Sequence, residues 1–293
     1  MSDAERAAPK FPLRLDRMTA QARRLAVPTA AQRSGTAETK PARPCSPAPQ
    51  DPLIRPQRPL HEAALDSRRV AVPAGLGFDS HHVRERMLAR LAAEGVRDLR
   101  VLSAMRAVPR HVFVDTALAY QAYEDTSLPI GLGQTISKPS VVARMIELLI
   151  AEQRPDARLR LLEIGTGCGY QALVLAQFAR QVVSIERLKP LHDKARDNLA
   201  GLRHDNLRLV YGDGRLGHAP NAPYDGIIAA AGGDGIPGAW CEQLAEGGRL
   251  VAPMHDTRSG GQVLVVIDRR PDGSLRRTLY EAVRFVPLKS GVG

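Results

Sequence analysis

From residue 159 to residue 253 short apolar runs alternate with amphipathic segments, save between 207–211 and 225–230, and this constrains the fold more than any other feature of the 293-residue chain. Runs at 159–164, 181–185, 207–211, 225–230 and 248–253 have the length and the Val, Ile and Leu content of buried strands, while 169–180, 188–200 and 237–245 have helical spacing. Parallel neighbours need a crossover, usually a helix, so the series predicts an α/β, doubly wound sheet, mostly parallel and covered by helices on both faces. Two further β-rich stretches, 262–268 and 275–286, flank an Asp272-Gly273 turn and predict a C-terminal antiparallel hairpin.

Ahead of this series, Val83, Met87, Leu88 and Leu91 fall on one helical face, and Gly95 stands where a C-terminal cap belongs. A second helix carrying Val101, Leu102 and Met105 should stop at Val108-Pro109, because the residue before proline avoids helical angles. Loops then lead through Pro129-Ile-Gly-Leu-Gly-Gln-Thr-Ile-Ser137 to a helix with an apolar face of Val141, Val142, Met145, Ile146, Leu149 and Ile150. Pro139 suits its first turn, and Ser137 is its expected N-cap.

Residues 1–75 are of another kind, with 13 Lys and Arg against 7 Asp and Glu, 11 of the 22 prolines and a single aromatic, Phe11. Too little apolar surface is present to offset the entropy of ordering, so a disordered basic extension is expected there and a folded domain over 76–293. The extension's arginines lie among Pro and Ala without interleaved aromatics for stacking bases, so no nucleic-acid partner is expected. No apolar run nears the roughly 18 residues of a membrane helix. Acidic Asp3 and Glu5 precede any apolar stretch, and Cys45, Cys168 and Cys241 are too scattered for a disulfide framework, so a cytoplasmic location is expected.

Leu162-Glu-Ile-Gly-Thr-Gly-Cys-Gly169 lies between the first strand and its helix, the junction at which α/β sheets bind ligands. Gly165, Gly167 and Gly169 let the backbone approach a cofactor, though such a run also suits a dinucleotide or a tight turn. Three carboxylates at three consecutive strand ends favour a ligand: Glu163 for an amine, Glu186 for ribose hydroxyls 21 positions after Gly165, and Asp213 with Gly214 beside an adenine. Glu186 is also a possible helix cap, and Gly212-Asp-Gly214 an ordinary turn. Cys168 is read as a small packing residue, since nothing nearby would activate a thiolate.

The chain from about 80 to 290 resembles the protein-L-isoaspartate (D-aspartate) O-methyltransferases. Beyond the cofactor motifs, the resemblance runs through Val108-Pro-Arg-His-Val-Phe-Val114, Pro129–Pro139, Gly247-Gly-Arg-Leu-Val-Ala-Pro253 and Phe285-Val-Pro-Leu288. It implies a Rossmann-like fold that binds S-adenosyl-L-methionine, with Gln134 at the cofactor, Thr135 and Ile136 on the peptide-binding surface, and Ser137 as the active-site residue. It also implies a monomer acting on isoaspartyl proteins and peptides, methylating the free α-carboxylate to begin repair. The chain departs from the family pattern at Met254-His255-Asp256, where an altered rim of the substrate cleft is expected, and at Arg215, Leu216 and His218, where tryptophans are common.

An α-carboxylate with a pKa of about 4 is already ionised at neutral pH, so no general base is expected. No metal is expected either, because no His, Cys and carboxylate cluster has ligand spacing. Catalysis then rests on alignment and on stripping water from the carboxylate. Two other readings remain: a methyltransferase of the same fold acting on another acceptor, and a catalytically silent module that engages partners through its basic tail.

Overall fold

A computed structural model describes residues 81–257 and 260–293. The expected disordered extension over 1–75 lies outside the described residues.

Helices α1 (His81–Ala93) and α2 (Leu99–Ala107) come first. The side chain of Asp98 caps α2 by accepting from the Arg100 amide, and the helix ends at Val108, before Pro109. A hairpin follows, β1 (Leu128–Gly131) and β2 (Gln134–Ile136), and then α3 (Pro139–Ile150). The domain continues with β3 (Arg160–Ile164), α4 (Tyr170–Ala176), β4 (Gln181–Glu186), α5 (Lys189–Leu199), β5 (Leu207–Tyr211) and β6 (Tyr224–Ala229). It closes with α6 (Gly238–Gln243), β7 (Leu244–Asp256), β8 (Gly261–Arg269) and β9 (Leu275–Val283).

The main sheet has seven strands in the order β5-β4-β3-β6-β7-β8-β9. Strands β3 to β7 pair in parallel, and β7 with β8 and β8 with β9 pair antiparallel, so the expected terminal hairpin is present. The strand order reverses between β3 and β6, whose carboxyl ends therefore flank a crevice.

Successive strand residues enter opposite cores, as a period of two requires. Leu161, Val182, Ile228 and Val251 join one cluster, while Leu162, Val183, Ile227 and Leu250 join the other. The first core takes the apolar faces of α1 to α5, and the second is closed by Trp240 of the short helix α6. Coverage of the two faces is thus unequal. Each large aliphatic side chain fully buried from α3, such as Ile146 or Leu149, contributes on the order of 2 kcal/mol. Gly226 permits that packing, since a Cβ there would stand 2.8 Å from Leu161 and 3.1 Å from Leu149.

Three expectations change. The stretch 129–137, read as loop, holds the β1–β2 hairpin, whose turn has positive φ at both Leu132 (53°) and Gly133 (68°), the geometry that matches strand twist. Strand β7 runs over 244–256 where 248–253 was expected, because the Gly247-Gly248 pair is carried within the strand. Ser137 is not the N-cap of α3; Lys138 holds that position without a side-chain cap bond. Asp125, fifteen residues upstream of Ser140, serves the helix end instead, its Oδ1 accepting from the Ser140 amide at 2.9 Å and its Oδ2 from the Ser140 hydroxyl at 2.8 Å.

Candidate active site

At the carboxyl ends of β3, β4 and β6 lies a cavity of about 590 Å³, within the range of small-ligand sites. Its floor is the turn from β3 into α4, where Gly165 and Gly167, which line it, and Gly169, which does not, have φ of 91°, 55° and 93°, values that strain any other residue. Gly165 and Thr166 donate to the Ile185 carbonyl, which binds the turn to β4. At Gly167, added bulk would also press on Ile130 of the hairpin, 3.2 Å from a Cβ.

Glu186, 5% exposed at the end of β4, lines the cavity and organises two backbone segments. Its Oε2 accepts from the Gly167 amide and its Oε1 from the Leu188 amide, both at 2.9 Å. The expected cap for the following helix and the expected ligand-side carboxylate are thus one residue. Each oxygen retains a lone pair for a hydroxyl.

Glu163 departs from expectation. It is fully buried and does not line the cavity; Ser184 donates to its Oε2 at 2.5 Å, and Ser184 in turn shares a 2.6 Å hydrogen bond with Thr166 of the glycine turn. Burial pushes its carboxyl up to about 8, against the opposing hydrogen bond from Ser184. At neutral pH Glu163 therefore carries a proton and supports the turn from beneath; it is not placed to bind a ligand amine directly.

Asp213 is likewise occupied by the chain itself. Its Oδ1 accepts from the Arg215 amide at 2.9 Å and its Oδ2 from the Gly291 amide at 2.6 Å, while Gly214 alone of the pair lines the cavity. Arg187 donates to the Gly291 carbonyl at 3.0 Å, so the last residues lie along this end of the site.

Gln134, Thr135, Ile136 and Ser137 all line the cavity from β2 and the residue after it, opposite the glycine turn. The Ser137 hydroxyl makes no hydrogen bond to a described residue, but its carbonyl oxygen accepts from Arg110 Nη2 at 2.6 Å. The sequence alone gives no role to Arg110. It is fully buried, also donates to the Ala122 carbonyl at 2.7 Å, and lies 4.7 Å from the centre of the Tyr170 ring, which lines the cavity. Desolvation holds its pKa below the usual arginine value. Residues 286–289, Ala230 and Ala231 complete the wall and were also not foreseen.

Cys168 lines the cavity too, but burial pushes its thiol up to about 11, leaving it inert at neutral pH, in line with its reading as a packing residue. Met254 is 3% exposed in the second core, and none of residues 254–256 lines this cavity or the groove beside it.

Fold, glycine turn and strand-end carboxylate define an S-adenosyl-L-methionine-dependent methyltransferase. Residues 82–293 match the family described as protein-L-isoaspartate(D-aspartate) O-methyltransferase, and the chain belongs to that family. Protein-L-isoaspartate O-methyltransferase of Methylibium petroleiphilum is 71% identical over 291 residues, covering 99% of each chain, so that alignment takes in the N-terminal extension. The Leptothrix cholodnii protein of the same name is 66% identical over 239 residues, covering 81% of this chain and 84% of its own. A solved Plasmodium falciparum structure of this description, in complex with S-adenosyl-L-homocysteine, is 25% identical with a TM-score of 0.62, covering 70% of this chain and 98% of that one.

Proposed function

We propose that the chain methylates the free α-carboxylate of L-isoaspartyl and D-aspartyl residues in damaged proteins, with Ser137 as the residue that orients the acceptor. The observation that carries this is the convergence of Gln134–Ser137 and the glycine turn on one cavity.

The residues fit the cofactor: the glycine turn offers a cradle that a side chain would fill, and Glu186 brings a carboxylate to the wall. S-adenosyl-L-methionine supplies, when bound, an electrophilic methyl on a sulfonium. Gly165, Gly167 and Glu186 would hold it, with Gly214 at the adenine end and Gln134 closing over it. Gly169, whose Cβ would meet Leu199 at 3.2 Å, instead sets the packing of α4 on α5.

The acceptor carboxylate arrives ionised, so the chain need not remove a proton. Positive and negative charge cancel during transfer, which makes water removal and alignment the work of the site. Ile130, Ile136, Val142 and Leu288 line the cavity and exclude water. The Ser137 hydroxyl is free to donate to the acceptor, while Thr135 and Ile136 shape the peptide surface. Asp125 takes up the Ser140 amide at the N-terminus of α3, and its charge offsets part of what that helix end would offer the carboxylate.

A cytoplasmic monomer with no nucleic-acid partner completes the reading; composition supports the location and the lack of a nucleic-acid partner, and the family resemblance supports the monomer. No helix among the described residues is long and apolar enough to cross a membrane.

Two synthetic peptides differing only in an isoaspartyl against an aspartyl linkage test the function. Base-labile methyl label is expected on the isoaspartyl peptide alone. Equal label on both, or none on either with cofactor binding intact, would exclude it.

A further inference from the structure

A groove of about 510 Å³ lies beside the cofactor cavity and shares Thr135, Ser137, Ala230 and Val286 with it. One wall is the start of α3, with Lys138 and Val141; the other is the end of the edge strand β9 and the residues after it, through Arg284 and Phe285. That second wall is pinned. Gln262 Oε1 accepts from the Phe285 amide at 2.7 Å, Gln262 Nε2 donates to the Phe285 carbonyl at 3.3 Å, and the Gly232 amide donates to the Val286 carbonyl at 2.8 Å.

Lys138 and Arg284 are both exposed, and no Asp or Glu lines the groove. Among the described residues neither cation has an ion pair or hydrogen bond. The acids close by in sequence or across α3 are engaged elsewhere: Glu281 with Arg144 at 3.0 Å, and Asp125 with Ser140. The groove is therefore a cationic channel that ends at Ser137.

We propose that Lys138 and Arg284 make this groove selective for isoaspartyl segments that carry further acidic side chains beside the damaged residue. The occupant follows from the methyl-transfer function proposed above, since an acceptor in this groove reaches both Ser137 and the cofactor cavity. A cation paired with the reacting carboxylate would oppose transfer, because that charge is lost as the ester forms. Neighbouring carboxylates keep their charge throughout, so pairing with them favours ground and transition states alike. The selectivity accordingly appears in KM and not in kcat.

The test uses the full chain and two isoaspartyl peptides of equal length, one flanked by Glu and one by Lys. Exposed ion pairs change binding by up to about fivefold each, so kcat/KM for the Glu peptide should exceed that for the Lys peptide by about tenfold, through KM. The advantage should shrink as salt rises from about 20 mM to about 500 mM. The Lys138→Glu/Arg284→Glu variant should reverse the preference, and Lys138→Met/Arg284→Met should abolish it. Equal kcat/KM for the two peptides with the wild type, or an unchanged preference in the reversed variant, would overturn the selectivity while leaving methyl transfer standing. Methylation of neither peptide by the wild type would overturn both.

Discussion

The buried guanidinium of Arg110 donates to the carbonyl oxygen of Ser137 at 2.6 Å. With its second bond to Ala122, 2.7 Å, and its contact with Tyr170, this arginine fastens the residue expected to meet the substrate to the helical layer behind it. Replacing Arg110 with Met leaves one buried and one part-buried carbonyl without their donor, which should cost about 2 to 4 kcal/mol by chemical denaturation. Arg110→Lys keeps a charge and one donor, and it should recover part of both stability and kcat. Full activity and stability in Arg110→Met would show that the bond does not position Ser137.

Asp125 holds the first turn of α3 through both the amide and the hydroxyl of Ser140. An Asp125→Ala variant should lose about 1 to 2 kcal/mol, as removal of a charged cap does. Ser137→Ala should lose less than about 0.5 kcal/mol, since its side chain caps nothing. Urea midpoints of the two variants check the contrast, and the reverse order would restore Ser137 as the cap.

Glu163, with its carboxyl raised to about 8 by burial, ties stability to pH. The folded state binds this proton more tightly than the unfolded chain does. Its contribution is fully present below the ordinary carboxylate pKa, about 4.5, and is lost as pH rises through about 8. Wild-type stability should therefore fall across this window relative to Glu163→Gln, which cannot ionise. Parallel urea titrations from acid to pH 9 that stay a constant distance apart would contradict the buried proton.

The sheet was legible because its strands are short and rich in Val, Ile and Leu and the helices between them keep their period, and the glycine turn because it falls at the strand–helix junction where α/β sheets bind ligands. Glu186 was placed on the cavity by its position at a strand end, and Gln134–Ser137 by the family resemblance. The β1–β2 hairpin was not legible, since strands of four and three residues are too short to show a period and Pro129 argues against one. Ser137 looked like a cap by local rules, and the true partner, Asp125, is reached only through the folded chain. Arg110 sits in the apolar Val108–Val114 segment, where its burial gives no pattern. Asp213 meets Gly291, 78 residues away, a contact that no local spacing encodes.

The most direct measurement is single-turnover methylation of an isoaspartyl peptide by wild type and Ser137→Ala, beside calorimetric binding of S-adenosyl-L-homocysteine to each. Misalignment of the acceptor should slow transfer on the order of a hundredfold in the variant, with cofactor affinity within about twofold. An unchanged rate in Ser137→Ala would contradict the role of Ser137 as the residue that orients the acceptor.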